Sequence, residues 1–134
     1  MSGALRDLPV LVVDCQAGGA TPAHGDLLEL AWTLCTADGP PEPLQSHWIV
    51  PRSGRPVRRA VRELTGWSEA CLAEAIGDDV AWKALERDAL RVASGSSPVP
   101  TVIHYARFEV PFLRDLHART DEGGAFNAGR REGS

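Results

Sequence analysis

A nearly continuous apolar run close to the N-terminus constrains the fold of this chain more than any other feature. The stretch PVLVVDCQ occupies residues 9–16, and its first polar side chain is that of Asp14. A short run of this kind predicts a strand that is covered on both faces and lies inside a sheet. A glycine-rich turn follows it. The carboxylate of Asp14 is therefore either part of a site at the edge of the sheet or the ordinary polar end of a core strand.

The remaining segments predict an α/β fold. Alternation at period two indicates a second strand that carries Leu28, Leu30, Trp32 and Leu34 on one face. Short loops join the first three strands, which predicts an antiparallel meander, whereas a long helical connection lets the fourth strand return parallel to the first. The predicted elements are strands at 9–16, 27–36 and 44–50, short helices within 57–77, a helix at 79–94, a strand at 101–104, and a helix at 107–119 with Pro111 near its first turn.

The composition is that of an ordinary globular protein. The 134 residues are 43% hydrophobic and 24% charged, which carries no membrane signature. We expect a partial domain over residues 1–120 and a disordered tail over 121–134, because the tail has little apolar content. The first apolar run is too short to span a bilayer and lacks the flanks of a signal peptide. We therefore expect a cytoplasmic protein with no membrane partner.

The three cysteines argue against a disulfide framework and against a zinc site. Cys15, Cys35 and Cys71 are an odd number, and they form no CxxC pair. No histidine lies at zinc-ligand spacing from them. We therefore expect three free thiols.

Five arginines form a basic cluster in a chain whose net charge is −4. The chain as a whole does not attract nucleic acid, so any binding of nucleic acid depends on a local patch. The stretch PRSGRPVRRAVRE at residues 51–63 is either such a patch or a solvated helix face. Its basic members are Arg52, Arg55, Arg58, Arg59 and Arg62.

Four motifs follow one another in a recognisable order: VVDCQAGG, HGDLLELAW, ELTGW and IHYARFEVPFL. Together they resemble the DnaQ-like 3′-5′ exonucleases of the DEDD type, whose fold is similar to that of ribonuclease H. The resemblance covers roughly residues 9–117. The first motif of that family, Asp-x-Glu, maps onto Asp14 and Gln16. The second motif, His-Asn-x-x-Phe-Asp, begins at His104 and ends at Glu109.

The resemblance implies a metal-dependent 3′-5′ exonuclease that acts on single-stranded or frayed nucleic acid ends. In such chemistry carboxylates hold a pair of Mg²⁺ or Mn²⁺ ions. On this basis Asp14 and Glu109 are the candidate catalytic residues, and Gln16 joins them as a candidate metal ligand. A larger protein or complex is a further expected partner. The expected nucleic-acid contacts are the five arginines together with Gly19, Tyr105 and Phe108.

Three departures from the family pattern predict weak activity. Gln16 offers a carbonyl oxygen without charge, which disfavours a second metal ion. Glu109 is one methylene longer than the aspartate it replaces. The third motif, His-x-x-x-x-Asp, is absent because His117 and Asp121 are one residue too close, which predicts a truncated or shortened relative lacking the C-terminal part of the fold. We expect weak binding of one ion. The alternative is an inactive nucleic-acid-binding or protein-interaction module.

Three ring-bearing side chains near these motifs have two interpretations each. His104 and Tyr105 are equally consistent with core residues and with positions in a site. Trp67 is either a core residue or a stacking surface for a base.

Overall fold

One mixed sheet and three α-helices form the described part of the protein. The computed structural model describes residues 8–92 and 99–120. The elements are β1 (Val10–Ala17), β2 (Leu27–Cys35), β3 (Gln45–Trp48), α1 (Arg59–Thr65), a 3₁₀ helix (Glu69–Ala73), α2 (Asp78–Val92), β4 (Thr101–Ile103) and α3 (Ala106–Thr120). The order of strands across the sheet is β3-β2-β1-β4.

β1 is an inner strand of this sheet. It pairs antiparallel with β2 and parallel with β4, so that Val13 lies between Trp32 and Ile103. β2 also pairs antiparallel with β3. This order confirms the predicted α/β fold, with a three-strand meander and one parallel strand. Because β1 and β4 are parallel, their carboxyl ends lie at the same edge of the sheet.

One face of the sheet carries the main hydrophobic core. Leu11, Val13 and Cys15 alternate along β1 and are almost fully buried, as the period of a strand requires. The helices α2 and α3 cover this face with side chains spaced three and four residues apart. The helical members of the core are Ala81, Trp82, Leu85, Ala89, Phe112, Leu113 and Leu116.

The opposite face is only partly covered by the residues that the structure describes. Val12 is half-buried, and Val102, its neighbour on β4, is 55% exposed. The apolar run therefore predicted the inner position of β1 correctly, but among the described residues only one of the two faces that it predicted to be covered is fully covered. The reason is that α2 and α3 both pack on the other face.

A β-bulge near the start of β2 corrects one predicted side-chain position. The pairing shifts between Gln16 and Ala17 because β2 has one extra residue there, Leu28. A bulge of this kind disrupts the alternation of side chains. Leu28 consequently lies outside the main core, although the sequence predicted it on the same face as Leu30.

Leu28 instead contributes to a second, smaller core. It packs with Val57 and Trp67, and the side chains of Trp48, Val61 and Cys71 pack around them. Trp67 is 6% exposed. Its interpretation as a stacking surface for a base is therefore wrong, and the core interpretation is correct.

The closing helix begins one residue earlier than predicted, and Pro111 lies deeper within it. α3 starts at Ala106, which makes Pro111 the sixth residue of the helix. The earlier start follows from the backbone of Tyr105, which turns sharply with φ +52° and separates β4 from α3. Pro111 removes the N–H that would otherwise bond the carbonyl of Arg107.

Two further expectations concern the thiols and membranes. Cys15 is buried, Cys35 and Cys71 are partly exposed, and all three are free thiols as predicted. Within the described ranges no helix combines the length and the apolar character needed to cross a bilayer. The predicted tail at 121–134 lies outside the described residues.

Candidate functional site

The carboxyl ends of β1 and β4 bring two distant carboxylates together. Asp14 lies on β1, and Glu109 lies in the first turn of α3, shortly after β4. The backbone N–H of Cys15 donates a hydrogen bond of 3.0 Å to Glu109 Oε1, across 94 positions of sequence. Asp14 and Glu109 therefore lie together at one edge of the sheet, as predicted.

His104 completes a cluster of three potential metal ligands. Asp14, His104 and Glu109 each offer one ligand atom, and these three atoms all lie within 4.8 Å of one another. Two carboxylate oxygens and one imidazole nitrogen are suitable donors for a divalent cation. The donor set therefore fits the divalent cation that the sequence resemblance implies.

The pKa of Glu109 is shifted because burial and a neighbouring carboxylate disfavour its charged form. Burial first, and then a hydrogen bond and the negative charge of Asp14, together raise the pKa of Glu109 to about 8, although the Cys15 N–H opposes the shift. Burial, with Glu109 and Asp14 beside it, also raises the pKa of the Cys15 thiol. In the free protein Glu109 therefore holds its proton at neutral pH, and a bound cation would displace it.

The backbone at Tyr105 connects β4 to α3 beside the cluster. Its φ of +52° is in the left-handed region, which is costly for a residue other than glycine. The carbonyl of Tyr105 accepts the N–H groups of Phe108 and Glu109 at 2.9 and 3.0 Å, so it begins α3. The rings of His104 and Tyr105 lie 4.4 Å apart. Both side chains are exposed, which excludes the core interpretation.

A cleft opens beside the cluster. Its volume is about 330 Å³, and Asp14, Glu109 and Gln16 line it. Leu64, at 86% exposure, and Tyr105, at 72%, also line the cleft although both are large and apolar in part. Exposed apolar side chains beside polar groups are typical of a binding site.

The end of α1 is fixed by local hydrogen bonds near this cleft. Thr65 Oγ1 donates to the carbonyl of Val61 at 2.8 Å and accepts the N–H of Trp67 at 3.1 Å. Gly66 follows with φ +78° and ends the helix. These contacts hold the preceding Leu64 at the wall of the cleft.

Gln16 occupies the position of the glutamate in the Asp-x-Glu motif, but its amide carries no charge. It lies two residues after Asp14 on β1 and therefore on the same face, and both residues line the cleft. Its Oε1 atom is buried and has no hydrogen-bond partner among the described residues. A buried carbonyl oxygen without a partner is costly, and a cation in the cleft would satisfy it.

Other predicted site residues have structural partners. Phe108 lines the cleft but is half-buried, and its ring lies 5.4 Å from that of Phe112 in the core. At Gly19 an added Cβ would lie 2.5 Å from the carbonyl oxygen of His24, so the turn itself requires glycine. His117 packs against Trp82, with ring centroids 5.7 Å apart.

The five arginines of the basic cluster divide into two groups. Arg55 and Arg58 form no ion pair with any residue in 8–92 or 99–120. The other three each contact a carboxylate: Arg52 contacts Asp78 at 2.9 Å, Arg59 contacts Glu63 at 3.5 Å, and Arg62 contacts Glu69 at 3.8 Å.

Sequence reasoning identified the two carboxylates but missed His104 as a ligand and Leu64 as a wall of the cleft. A signal for His104 was present, because it is the last residue of a predicted strand that was expected to end beside Asp14. No comparable signal existed for Leu64. Its exposure depends on how α1 packs on the second core.

Comparison with solved structures finds this fold in exonuclease I. The E. coli enzyme in complex with a dT13 oligonucleotide matches with a TM-score of 0.71 at 13% sequence identity, over 93% of this chain and 26% of that one. The zinc-bound form of the E. coli enzyme with single-stranded DNA matches with a TM-score of 0.70 at 13% identity, over 91% of this chain and 26% of that one. An exonuclease I complex with SSB-Ct gives 0.70 and 13%, over 90% and 26%. No protein-family model and no curated protein sequence matches the chain.

The likeness to exonuclease I is one of fold. The sequences share 13% identity, and this chain spans about a quarter of the exonuclease I chains that it matches. The mixed sheet of the DnaQ-like and ribonuclease H-like type, predicted from the motifs, therefore agrees with the structural neighbours.

Proposed function

We propose that this chain is a metal-dependent 3′-5′ exonuclease-type domain that acts weakly on single-stranded or frayed nucleic acid ends. The observation that carries the proposal is the cluster of Asp14, His104 and Glu109 at the edge of an exonuclease I-like sheet. Its setting supports the same function, because the cluster opens into a cleft with exposed apolar walls. Structural neighbours contain single-stranded DNA and, in one case, zinc.

Each residue of the site has a separate role in this proposal. Asp14 and Glu109 hold one Mg²⁺ or Mn²⁺ ion with His104, and Gln16 contributes its unpaired carbonyl oxygen. When bound, such an ion polarises a phosphodiester and favours attack by water. The Cys15 N–H fixes the carboxylate of Glu109. Because the described cluster has only two carboxylates, one ion is expected rather than a pair, and hydrolysis is slow.

The walls of the cleft provide a place for the terminal base. Leu64 and Tyr105 expose apolar surface on the cleft. Bases stack on aromatic rings such as that of Tyr105 with little dependence on sequence, and Leu64 adds an apolar contact. The strained backbone of Tyr105 fits this role, since strain of this kind concentrates at functional sites. The substrate class is thus a single strand rather than a paired duplex.

A second candidate function is binding of nucleic acid or protein without hydrolysis. Gln16 favours it, because the neutral amide lowers the attraction for a second cation. A neighbouring structure contains SSB-Ct, which makes a protein partner a reasonable second ligand for this fold. The two functions differ in whether the strand is shortened.

The test is a cleavage assay with a 5′-labelled dT15 oligonucleotide. The protein is incubated with Mn²⁺, with Mg²⁺ or with EDTA, and products are separated at single-nucleotide resolution. We expect slow shortening from the 3′ end with Mn²⁺, and none with EDTA. Asp14→Asn should lower the rate at least about 100-fold, whereas the matched control Asp79→Asn, at an exposed site on α2, should not change it.

The outcomes separate the two candidates. Binding of the oligonucleotide without any shortening would favour the second candidate, a binding module. Shortening that persists in Asp14→Asn would show that the activity arises elsewhere, and it would contradict the proposed site.

A further inference from the structure

A second cleft adjoins the candidate metal site. Its volume is about 470 Å³, which lies within the usual range for small-ligand sites. Ala17 lines the metal-site cleft and Gly18 lines this one, so the two clefts are neighbours along the chain after β1. The second cleft is not used by the metal chemistry.

Two unpaired guanidinium groups line this second cleft. Arg55 and Arg58 are lining residues, and neither forms an ion pair with the part of the chain that the structure describes. In contrast, Arg59 is exposed on α1 and lies 3.5 Å from Glu63. Other exposed arginines, such as Arg87 and Arg114, also have no ion pair among the described residues. Arg55 and Arg58 differ from these two in lining the second cleft together.

The charged groups that face the arginines do not neutralise them. Asp26 lines the same cleft, but its carboxylate accepts hydrogen bonds from the N–H and the hydroxyl of Ser53, at 3.2 and 2.7 Å. His24 is also at the cleft, where it bonds the hydroxyl of Thr21 at 2.7 Å. Both polar groups thus have other partners, and the guanidinium donors remain available.

The floor of the cleft is apolar. Leu28 and Val57 are buried in the second core, and Pro56 is exposed beside them. A cleft lined by apolar side chains and by two arginines suits a nucleotide, in which a base or sugar is joined to a phosphate. Guanidinium groups bind phosphate oxygens through two parallel hydrogen bonds.

We infer that Arg55 and Arg58 bind an internal phosphodiester of a single strand whose 3′ end lies at the candidate metal site. The inference rests on the proposed function for the direction of the strand. It goes beyond that function by separating two arginines from a cluster of five. Arg52, Arg59 and Arg62 are assigned to the fold instead, through their carboxylate partners.

The test measures binding in EDTA, so that it does not depend on a metal. Fluorescence anisotropy of a 5′-labelled dT10 oligonucleotide is recorded for the full chain over a range of salt concentrations. The variants are Arg55→Gln, Arg58→Gln and the two together. The control Arg59→Gln removes one positive charge at an exposed site, as each single variant does. Thermal unfolding of each variant verifies that it is folded.

We expect the double variant to bind dT10 at least about tenfold more weakly at low salt. Its slope of log affinity against log salt should become shallower by about 0.7, because one neutralised phosphate of a single strand contributes about 0.7. Arg59→Gln should change the affinity less than about twofold. The gain in affinity from dT2 to dT4 should also shrink in the double variant, because the site takes an internal phosphate.

Three results would overturn the inference. These are no binding of dT10 by the wild-type chain, an equal loss in Arg59→Gln and in the double variant, or a double variant with unchanged affinity and slope. Failure of the proposed function is distinguishable. If Mn²⁺ does not bind but the double variant loses dT10 in EDTA, the arginine site stands and the metal site does not.

Discussion

Two buried carboxyl groups in this protein have opposite surroundings. Among the described residues Asp78 and Glu109 are the charged side chains with the least exposure, at 8% and 2%. Asp78, at the start of α2, contacts two arginines, Arg52 at 2.9 Å and Arg119 at 2.7 Å. Glu109 faces another carboxylate, that of Asp14, and a histidine.

The two pKa values move in opposite directions as a result. Burial alone would raise the pKa of Asp78, but hydrogen bonds and charge from Arg119 and then Arg52 lower it below its usual value. Burial and Asp14 raise the pKa of Glu109 to about 8. The first group has its counter-charge on Arg52 and Arg119, whereas the second has no ion-pair partner among the described residues.

The difference indicates that the carboxylate of Asp78 stabilises the fold, whereas that of Glu109 is available to a ligand. A buried charge is stable only when it is paired. The chain pairs Asp78 at the junction of three segments, the loop after β3, α2 and α3, where it fixes their arrangement. Glu109 has no such partner among the described residues, so its carboxyl group keeps its proton at neutral pH until a cation from solution displaces it.

The largest effect should come from removing the paired carboxylate. Asp78→Asn leaves Arg119 without its main partner, so the free energy of unfolding should fall by about 3 kcal/mol. Asp115→Asn, which removes the other carboxylate on Arg119, should cost less than about 1 kcal/mol because Asp115 is 42% exposed. Denaturant unfolding without metal measures both. Equal costs for the two variants would contradict the structural role of Asp78.

Restoring charge to the unbalanced site should strengthen metal binding. Gln16→Glu adds a carboxylate to the cleft that contains the cluster, so Mn²⁺ affinity should rise about tenfold, or about 1.4 kcal/mol. Gln45→Glu adds the same charge at an exposed position on β3 and should have less than a twofold effect. Calorimetry measures the change. An unchanged affinity in Gln16→Glu would mean that Gln16 does not face the metal.

The smallest effect should appear in the pH dependence of stability. Glu109 loses its proton near pH 4.5 in the unfolded chain but only near pH 8 in the folded one. The unfolded state therefore binds fewer protons between these values, and stability falls as the pH rises through that window. Asp78 adds no slope there, because its lowered pKa confines its titration to more acidic pH.

The matched variant for this prediction is Glu109→Gln, which keeps an oxygen for the Cys15 N–H. Without metal, its loss of stability between pH 5 and pH 8 should be smaller than that of the wild type by about 1 kcal/mol, or roughly 4 °C in Tm. The figure is modest because the cleft is open to water, which screens the charges. If the two proteins gave parallel curves of stability against pH, folding would not disfavour the ionised form of Glu109.

The parts of this account that the sequence predicted depend on local pattern. The period of apolar residues predicted the strands, and the lengths of the connections predicted that β1 lies between β2 and β4. From these two facts alone, Asp14 and Glu109 were expected at one edge of the sheet. The motif order predicted the same fold that exonuclease I has.

The parts that the sequence did not predict depend on tertiary contacts or unusual backbone. The exposure of His104 follows from the left-handed backbone of Tyr105, which residue propensities do not predict for tyrosine. The division of the arginine cluster follows from partners that are distant in sequence, such as Asp78. The bulge at Leu28 moved one apolar side chain to a second core that periodicity did not indicate.

The central claim is that Asp14, His104 and Glu109 hold a divalent cation, and calorimetric titration with Mn²⁺ at pH 8 tests it most directly. We predict one site, with a dissociation constant on the order of 10⁻⁴ M, and release of a proton as Glu109 ionises. Glu109→Gln should weaken binding at least about tenfold, whereas Glu63→Gln, the same substitution at an exposed site on α1, should leave it unchanged. Absence of binding to the wild type, or equal binding by Glu109→Gln, would contradict the claim.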